Sequence, residues 1–236
     1  MIKQYKKDYN YSYTMGFFPT FELINNKKEY LKCVYVSNDC LNTPGFKKLS
    51  TLVSKDKIII SQNIFDKLKE KDNDHVIGVF DKYTQELDKD KNHVVLVNPS
   101  DMGNLGNTMR SMLAFDYTNL AIILPGCDHF NPKTIRSSMG AMFSINIETF
   151  SSFDEYITKY KREYYPFKLQ TKQELHQIGK IEGNYSLVFG NEATGLPDSF
   201  LNKNAVKIEQ SSKVDSLNLA TAVVVGLYSF KYFKNN

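Results

Sequence analysis

Short apolar runs alternate with amphipathic stretches along most of the chain, which is the pattern of alternating β-strands and α-helices. The runs that predict strands cover residues 33–36, 57–60, 75–80, 93–97, 120–124, 143–147, 167–170, 185–189 and 205–209. The stretches that predict helices cover residues 17–24, 46–53, 63–69, 133–141 and 153–162, with a last long helix that opens at 215 and reaches 233. Elements of both kinds in alternation predict an α/β fold.

Residues 98–110 form a polar segment rich in glycine and asparagine, and they follow directly on the apolar run 93–97. Apolar residues then recur at near-helical spacing, and the run 120–124 completes a β–loop–α–β unit. In such units, ligands bind beyond the carboxyl ends of the strands. On this segment alone, an ordinary βα turn with capping asparagines and an exposed Arg110 explains the pattern equally well.

A second polar segment, 190–197, follows the apolar run 185–189. Glu192 is flanked there by Gly190 and Gly195, so its carboxylate could accept hydrogen bonds in a pocket while the backbone stays accessible. The simpler interpretation is a tight turn.

A third polar segment, beginning at Asp215, opens the last predicted helix. Free backbone amides are available at a helix N-terminus, and Asn218 adds a polar side chain to them. The simpler interpretation is that Asp215 or Ser216 only caps the helix.

Composition sets wide limits on function. The chain has 236 residues, of which 42% are hydrophobic and 24% charged, so it is globular with one or two domains. A formal charge of +4 permits a polyanionic partner without requiring one. Cys33, Cys40 and Cys127 form no Cys-x-x-Cys pair, so neither a metal site nor a disulfide framework is indicated. We find no signal peptide and no run that could span a membrane, and we expect a cytoplasmic protein.

The element pattern predicts two domains, 1–88 and 92–236, joined by a charged linker at 85–92. Residues 1–88 predict a small α/β/α unit that is rich in lysine and tyrosine. Lysines can pair with RNA phosphates and tyrosines can stack on bases, although a solvated lysine-rich surface remains an equal alternative. The residues concerned are Lys3, Lys6, Lys7, Lys27, Lys28, Lys47, Lys48, Tyr5, Tyr9, Tyr11 and Tyr13.

The three polar segments resemble, in order, the motifs of the SPOUT superfamily in its TrmH (SpoU) branch of RNA ribose methyltransferases. The first is Asn104-x-Gly106-x-x-x-Arg110, the second is Gly190-x-Glu192-x-x-Gly195-Leu196, and the third is Ser216-Leu217-Asn218. Residues 131–141 resemble a further segment of the branch. Ala193 departs from the pattern, because a glycine is usual there. The order of elements in 1–88 is similar to the ribosomal-protein-like RNA-binding domain of many TrmH-branch enzymes.

The resemblance implies a parallel sheet whose C-terminal part is threaded into a trefoil knot, with S-adenosylmethionine bound in the knot. Cofactor-binding positions implied in this chain are Leu169, Gly190, Ile208, Ser216 and Leu217. The implied catalytic set is Asn104, Arg110, Glu192, Ser216 and Asn218. The reaction would transfer a methyl group to a ribose 2′-hydroxyl in structured ribosomal or transfer RNA.

Arg110 is the base that the resemblance implies, which is chemically awkward because a guanidinium holds its proton too strongly to act readily as a base. Either an RNA phosphate takes part in removing the proton, or Arg110 mainly clamps that phosphate and stabilises the developing alkoxide. The sequence leaves both open.

The resemblance also implies a homodimer formed through the knotted domain. The last helix offers a candidate surface, a stripe formed by Leu219, Val223, Leu227 and Phe230. For a single helix, burial of such a stripe in the core of its own chain is the more common explanation.

The sequence leaves two other classes of function to compare with this one. A dinucleotide-dependent oxidoreductase would need Gly-x-Gly-x-x-Gly after a strand, and the sequence has none. A non-catalytic RNA-binding protein of the same fold is the stronger alternative, since Gly103-Asn104-Leu105-Gly106 fits the clamp of KH domains.

Overall fold

The computed structural model describes residues 2–68 and 74–234, and the chain forms two compact units. Met1–Tyr83 and Asp128–Ser144 make up unit 1, and Thr84–Cys127 and Ile145–Asn236 make up unit 2. Within the described part of the chain, none of the helices has the length and apolar character needed to cross a bilayer.

Unit 1 is built on a mixed four-stranded sheet with the order β1-β4-β2-β3. Strand β4 pairs antiparallel with β1 and β2, whereas β3 pairs parallel with β2. Its strands are β1 (Tyr11–Tyr13), β2 (Leu31–Val36), β3 (Ile58–Ile60) and β4 (Val76–Asp81), and its first helices are α1 (Phe17–Asn26), α2 (Pro44–Leu52) and α3 (Gln62–Leu68). The predicted elements of this region are confirmed within two residues, apart from β1, which the apolar pattern missed; Lys69 of the predicted third helix lies outside the described residues.

Residues 128–144 pack with unit 1 although the sequence placed them in the second predicted domain. The ring of Phe143 meets Phe80 of β4 edge-on, with centroids 5.3 Å apart. Gly140 lies against α1 so closely that a Cβ there would be 2.7 Å from the Cβ of Glu22. Arg136 forms an ion pair with Asp74. These contacts fix the segment within unit 1.

The same segment corrects two predicted elements. Helix α5 (Pro132–Ser137) ends before residue 141, because Met139 and Gly140 adopt positive φ angles of 52° and 79° that a helix does not allow. A 3-10 turn at Ala141–Ser144 follows. Phe143 and Ile145, two of the apolar residues that suggested the strand 143–147, are therefore buried outside any strand, and the strand itself, β7, is Asn146–Phe150.

Unit 2 contains a five-stranded sheet with the order β7-β6-β5-β9-β8, in which all pairs are parallel. Every residue of β5, β6 and β9 is buried, as expected for central strands covered on both faces. Besides β7, the strands are β5 (His93–Val97), β6 (Asn119–Ile123), β8 (Glu163–Pro166) and β9 (Tyr185–Phe189); the helices are α4 (Met102–Ala114), α6 (Phe153–Lys159) and α7 (Leu219–Ser229). The predicted parallel α/β arrangement is confirmed.

Three expectations for the second half were wrong in detail. Residues 205–209 form no continuous strand, because Val206 and Lys207 make only isolated bridges to Phe167 and Glu174. The predicted strand 167–170 is likewise reduced to one of these bridges. Helix α7 begins at Leu219 rather than at 215, since the side chain of Asn218 caps it by accepting from the backbone of Ala220 and Thr221.

The charged residues 85–92, which the sequence predicted to be a linker, are bound to unit 2 by hydrogen bonds. The backbone N–H of Leu87 donates to Glu148 and to the hydroxyl of Tyr160, and the Leu87 side chain is buried. Asp88 donates its backbone N–H to the side chain of Asn119 at 2.8 Å.

The apolar stripe of α7 is core within a single chain. Val223, Leu227 and Phe230 are fully buried, and the aligned Gly226 lies against the stacked rings of Phe167 and Phe189. The stripe is therefore not a surface for a partner. The opposite face of the helix, which includes Thr221 and Tyr228, is exposed.

Replacing Gly140 by alanine tests the packing of residues 128–144 within unit 1. Gly140 and Gly183 both have positive φ, but a Cβ at Gly183 would meet no atom within 4 Å. Gly183→Ala should therefore lower the free energy of unfolding by about 1–2 kcal/mol through backbone strain alone. Gly140→Ala should lower it by about 1–3 kcal/mol more, because its methyl group would also collide with α1.

Urea unfolding of the two variants beside the wild type measures this difference. Equal losses for the two alanine variants would show that Gly140 is not in tight contact with α1.

Candidate active site

The carboxyl ends of β5 and β9 lie side by side at the point where the chain changes direction across the sheet of unit 2. From β5 the chain continues to β6 and β7 on one side, and it returns to β8 and β9 on the other. The connections that leave β5 and β9 therefore diverge and open a crevice between them, the usual ligand position in open α/β sheets.

Glu192, just beyond β9, ties the two connections together. Its carboxylate accepts four hydrogen bonds: from the backbone and hydroxyl of Ser100 at 2.9 and 2.7 Å, from the backbone of Asp101 at 3.1 Å, and from the amide of Asn104 at 3.2 Å. Burial acts to raise the pKa of Glu192, but the hydrogen bonds that the carboxylate accepts, those from Ser100 first among them, together outweigh burial and hold the pKa below its usual range. Glu192 is therefore a carboxylate at neutral pH.

Asn104 links Glu192 to the start of α7. The amide of Asn218 donates to the side-chain oxygen of Asn104 at 2.9 Å, while the Asn218 oxygen caps α7. Glu192, Asn104 and Asn218 thus form one chain of hydrogen bonds. The structure brings together one residue from each of the three polar segments.

A cleft of about 330 Å³ lies beside this chain of hydrogen bonds. That volume is within the range of small-molecule sites, which begin at about 300 Å³. Five positions that the sequence assigned to a cofactor line the cleft: Leu169, Gly190, Ile208, Ser216 and Leu217. Glu192 lines it as well.

The wall formed by residues 190–196 depends on glycine at its two ends. A Cβ at Gly190 would lie 2.3 Å from the backbone carbon of Gly195, and Gly195 itself has φ 66°. Between them, the side chain of Asn191 accepts from the backbone of Ala193 at 2.9 Å and donates to the carbonyl of Asn98 at 2.8 Å. Ala193 does not have a positive φ, so alanine replaces the usual glycine without backbone strain.

Arg110 is the one predicted catalytic residue that the structure places apart from the others. It lies in α4, about 9 Å beyond Asn104 along the helix axis at roughly 1.5 Å per residue. It is exposed and does not line the cleft. Among the residues that the structure describes, none holds Arg110 by a hydrogen bond or ion pair. Its guanidinium is thus free to meet an external anion.

Gly103-Asn104-Leu105-Gly106 lies inside α4 and is not a loop. The comparison with the KH clamp is therefore wrong, because that clamp is a loop that closes on the nucleic-acid backbone.

Sequence reasoning missed Ser100, Asp101 and Lys168. The first two lie in the loop between β5 and α4, and Asp101 caps α4 by accepting from the backbone of Asn104 at 2.7 Å. A Ser-Asp pair between an apolar run and a helix is a capping signal that could have marked them. Lys168 carries no such signal, because its partners are distant in the chain.

Among the described residues, Glu174, His176 and Glu209 place potential metal-ligand atoms within 4.8 Å of one another. The ammonium of Lys207 lies 3.3 Å from Glu174, and His176 hydrogen-bonds to Glu209. The ammonium of Lys207 therefore already supplies a positive charge beside these possible metal ligands.

Comparisons with known proteins point to one family. The model of the SpoU rRNA Methylase family matches residues 91–228. A putative tRNA (cytidine(34)-2′-O)-methyltransferase of Listeria monocytogenes is 31% identical over 146 residues, which cover 58% of this chain and 85% of the relative. The 23S rRNA (guanosine(2553)-2′-O)-methyltransferase RlmP of Bacillus subtilis is 24% identical over 217 residues, which cover 84% of this chain and 86% of RlmP.

Solved structures agree at the level of the fold. The SpoU methyltransferase AviRb from Streptomyces viridochromogenes, in complex with the cofactor AdoMet, aligns with a TM-score of 0.81 and 20% identity over 93% of this chain and 89% of that one. The family model covers more than half of the chain, including all three polar segments. The chain belongs to the SpoU rRNA methylase family.

Proposed function

We propose that this protein transfers a methyl group from S-adenosylmethionine to a ribose 2′-hydroxyl of RNA. The observation that carries the proposal is the hydrogen-bonded chain Glu192–Asn104–Asn218 beside a cleft of cofactor size. Family membership supplies the reaction class, since the relatives described above are named as RNA 2′-O-methyltransferases.

The cleft suits the proposed cofactor. Leu169 leaves 45% of its surface exposed there, an apolar area that an adenine ring would cover. The backbone around Gly190, Ile208 and Leu217 and the hydroxyl of Ser216 offer the hydrogen-bonding groups that an adenosine needs. When bound, S-adenosylmethionine supplies a methyl group already activated by its sulfonium.

With an activated methyl group, the protein's task is to position the 2′-hydroxyl and help remove its proton. Glu192 already accepts four hydrogen bonds from the protein, so we assign it to holding Asn104 and the neighbouring loops in place. Arg110 is exposed, and among the residues that the structure describes none binds its guanidinium. We therefore assign Arg110 to clamping an RNA phosphate and stabilising the developing alkoxide.

A homodimer completes the proposed site. Arg110 lies outside the cleft of its own chain, which supports a site that combines Arg110 of one protomer with the cleft of its partner. The exposed face of α7, with Thr221 and Tyr228, is available for such an interface. Threading of the C-terminal part into a trefoil knot belongs to the same proposal and rests on the family resemblance.

We assign RNA binding to unit 1. Lys3, Lys6 and Lys7 are exposed, and the rings of Tyr9 and Tyr11 stack with centroids 5.2 Å apart. Exposed ammonium groups and aromatic rings are the groups that bind phosphates and stack on bases.

Ribosomal RNA is the first candidate substrate, and transfer RNA is the second. The match to RlmP covers 84% of this chain and so extends well before residue 92. The match to the putative tRNA methyltransferase covers 58%, a share that the second half alone can contain. The relative named for ribosomal RNA therefore shares more of the chain, whereas the tRNA relative has the higher identity.

Arg110→Ala tests the division of roles within the site. Methyl transfer should fall by at least about 100-fold, the usual effect of losing a group that stabilises transition-state charge. The Kd for S-adenosylmethionine, measured by calorimetry, should stay within a factor of about two, because Arg110 does not line the cleft. Arg110→Lys should also fail, since lysine lacks the planar fork that grips a phosphate.

Lys180→Ala is the matched control, because it removes an exposed positive charge elsewhere in unit 2. Substantial turnover by Arg110→Ala would exclude Arg110 from the mechanism.

The substrate class is tested by offering unmodified transcripts of 23S ribosomal RNA and of a tRNA pool to the full chain with methyl-labelled S-adenosylmethionine. Label should enter the ribosomal transcript preferentially, at matched salt because phosphate contacts dominate such affinities. Preferential labelling of the tRNA would establish the second candidate in its place.

A further inference from the structure

Lys168 is a buried lysine in the wall of the cleft. Its side chain is only 6% exposed, and lysine is almost never buried without a partner. The ammonium donates to the carbonyl of Leu196 at 2.6 Å and lies 3.0 Å from the carboxylate of Asp198. The backbone of Lys168 is fixed separately by a hydrogen bond to the carbonyl of Val206 at 2.9 Å.

The contact with Leu196 anchors the far end of the cleft wall. Glu192 attaches residues 190–196 to the loop after β5, and Lys168 attaches the end of the same segment to the chain that follows β8. Between the two anchors, Gly190 and Gly195 are in close contact, so the segment has little room to move independently.

A contribution to stability does not explain why a charged ammonium is buried at this position. The Asp198 side chain is 90% exposed, so solvent screens its attraction for Lys168. Burying a charge with so little compensation is unfavourable, and an apolar side chain of similar volume would often give an equally stable core. The ammonium's firm contact is with the Leu196 carbonyl, a backbone group of the cleft wall.

We propose that Lys168 is a positioning residue for cofactor binding: its ammonium holds the Leu196 carbonyl, and through it the wall 190–196, in the conformation that accepts S-adenosylmethionine. The inference rests on the proposed function. Because Lys168 acts through the wall, its effect is the same for S-adenosylmethionine and for S-adenosylhomocysteine, which lacks the sulfonium charge.

Lys168→Met tests this role, since methionine keeps most of the unbranched side chain and removes the donor. In the full-length protein, calorimetric affinity for both ligands should fall about 10- to 100-fold, the range that follows from losing one hydrogen bond from a charged donor. The KM for S-adenosylmethionine should rise by the same factor, with kcat at saturating cofactor within about twofold of the wild type. Lys180→Met, an exposed lysine of unit 2, is the control and should behave as the wild type.

Three results would overturn the inference. Unchanged affinity in Lys168→Met would show that the contact does not position the wall. A lower kcat with an unchanged KM would show a general structural role. A loss confined to S-adenosylmethionine would show that the ammonium acts on the sulfonium charge.

Asp198→Asn keeps the inference testable should Lys168→Met not fold, because it leaves the Leu196 contact in place. Its affinity for both ligands should stay within about twofold, as expected when only a screened surface charge is lost. A tenfold loss would show that the ion pair, and not the carbonyl contact, matters. If the wild-type chain bound neither ligand, the proposed function would fail, whereas loss of the Lys168 effect alone leaves that function intact.

Discussion

The candidate active site depends on one carboxylate that joins two neighbouring loops. Parallel strands place the carboxyl ends of β5 and β9 side by side, but the loops beyond them diverge and leave backbone N–H groups in need of acceptors. Glu192 accepts from the two N–H groups just before α4 and from Asn104 inside it. Hydrogen bonds to an ionised carboxylate are the stronger kind, so this contact fixes the entrance of α4 relative to β9. Asn104 carries the same constraint to Asn218 and α7.

The segments that line the cleft are each held by side-chain hydrogen bonds. The wall 190–196 is held by Glu192 at one end and by Lys168 at the other, and its glycines allow the backbone to turn tightly between them. Residues 215–217, which also line the cleft, lead directly into the cap of α7, where Asn218 uses its oxygen for the helix and its amide for Asn104. In the proposed function, S-adenosylmethionine would bind against these anchored segments, and Arg110, which lies outside the cleft, would contact the RNA.

The sequence predicts most of unit 2 because its central strands are continuous apolar runs, and two of the three polar segments follow such runs directly. It fails where tertiary contacts override local pattern. Residues 205–209 have strand-like alternation but find only isolated bridging partners. The predicted helix 133–141 is cut short at Met139 and Gly140, where the chain reverses to pack Phe143 into unit 1. Lys168 was not identified from the sequence, because the carbonyl that its ammonium binds lies 28 residues away in the chain.

We propose that the cleft and Arg110 together direct a methyl group to a ribose oxygen. To test this, RNA treated with the full-length protein and S-adenosylmethionine is digested to nucleosides, and the methylated product is identified by chromatography and mass spectrometry. We expect a nucleoside methylated on its 2′-oxygen, formed only when protein and cofactor are both present. A nucleoside methylated on its base would show that the ribose oxygen is not the acceptor.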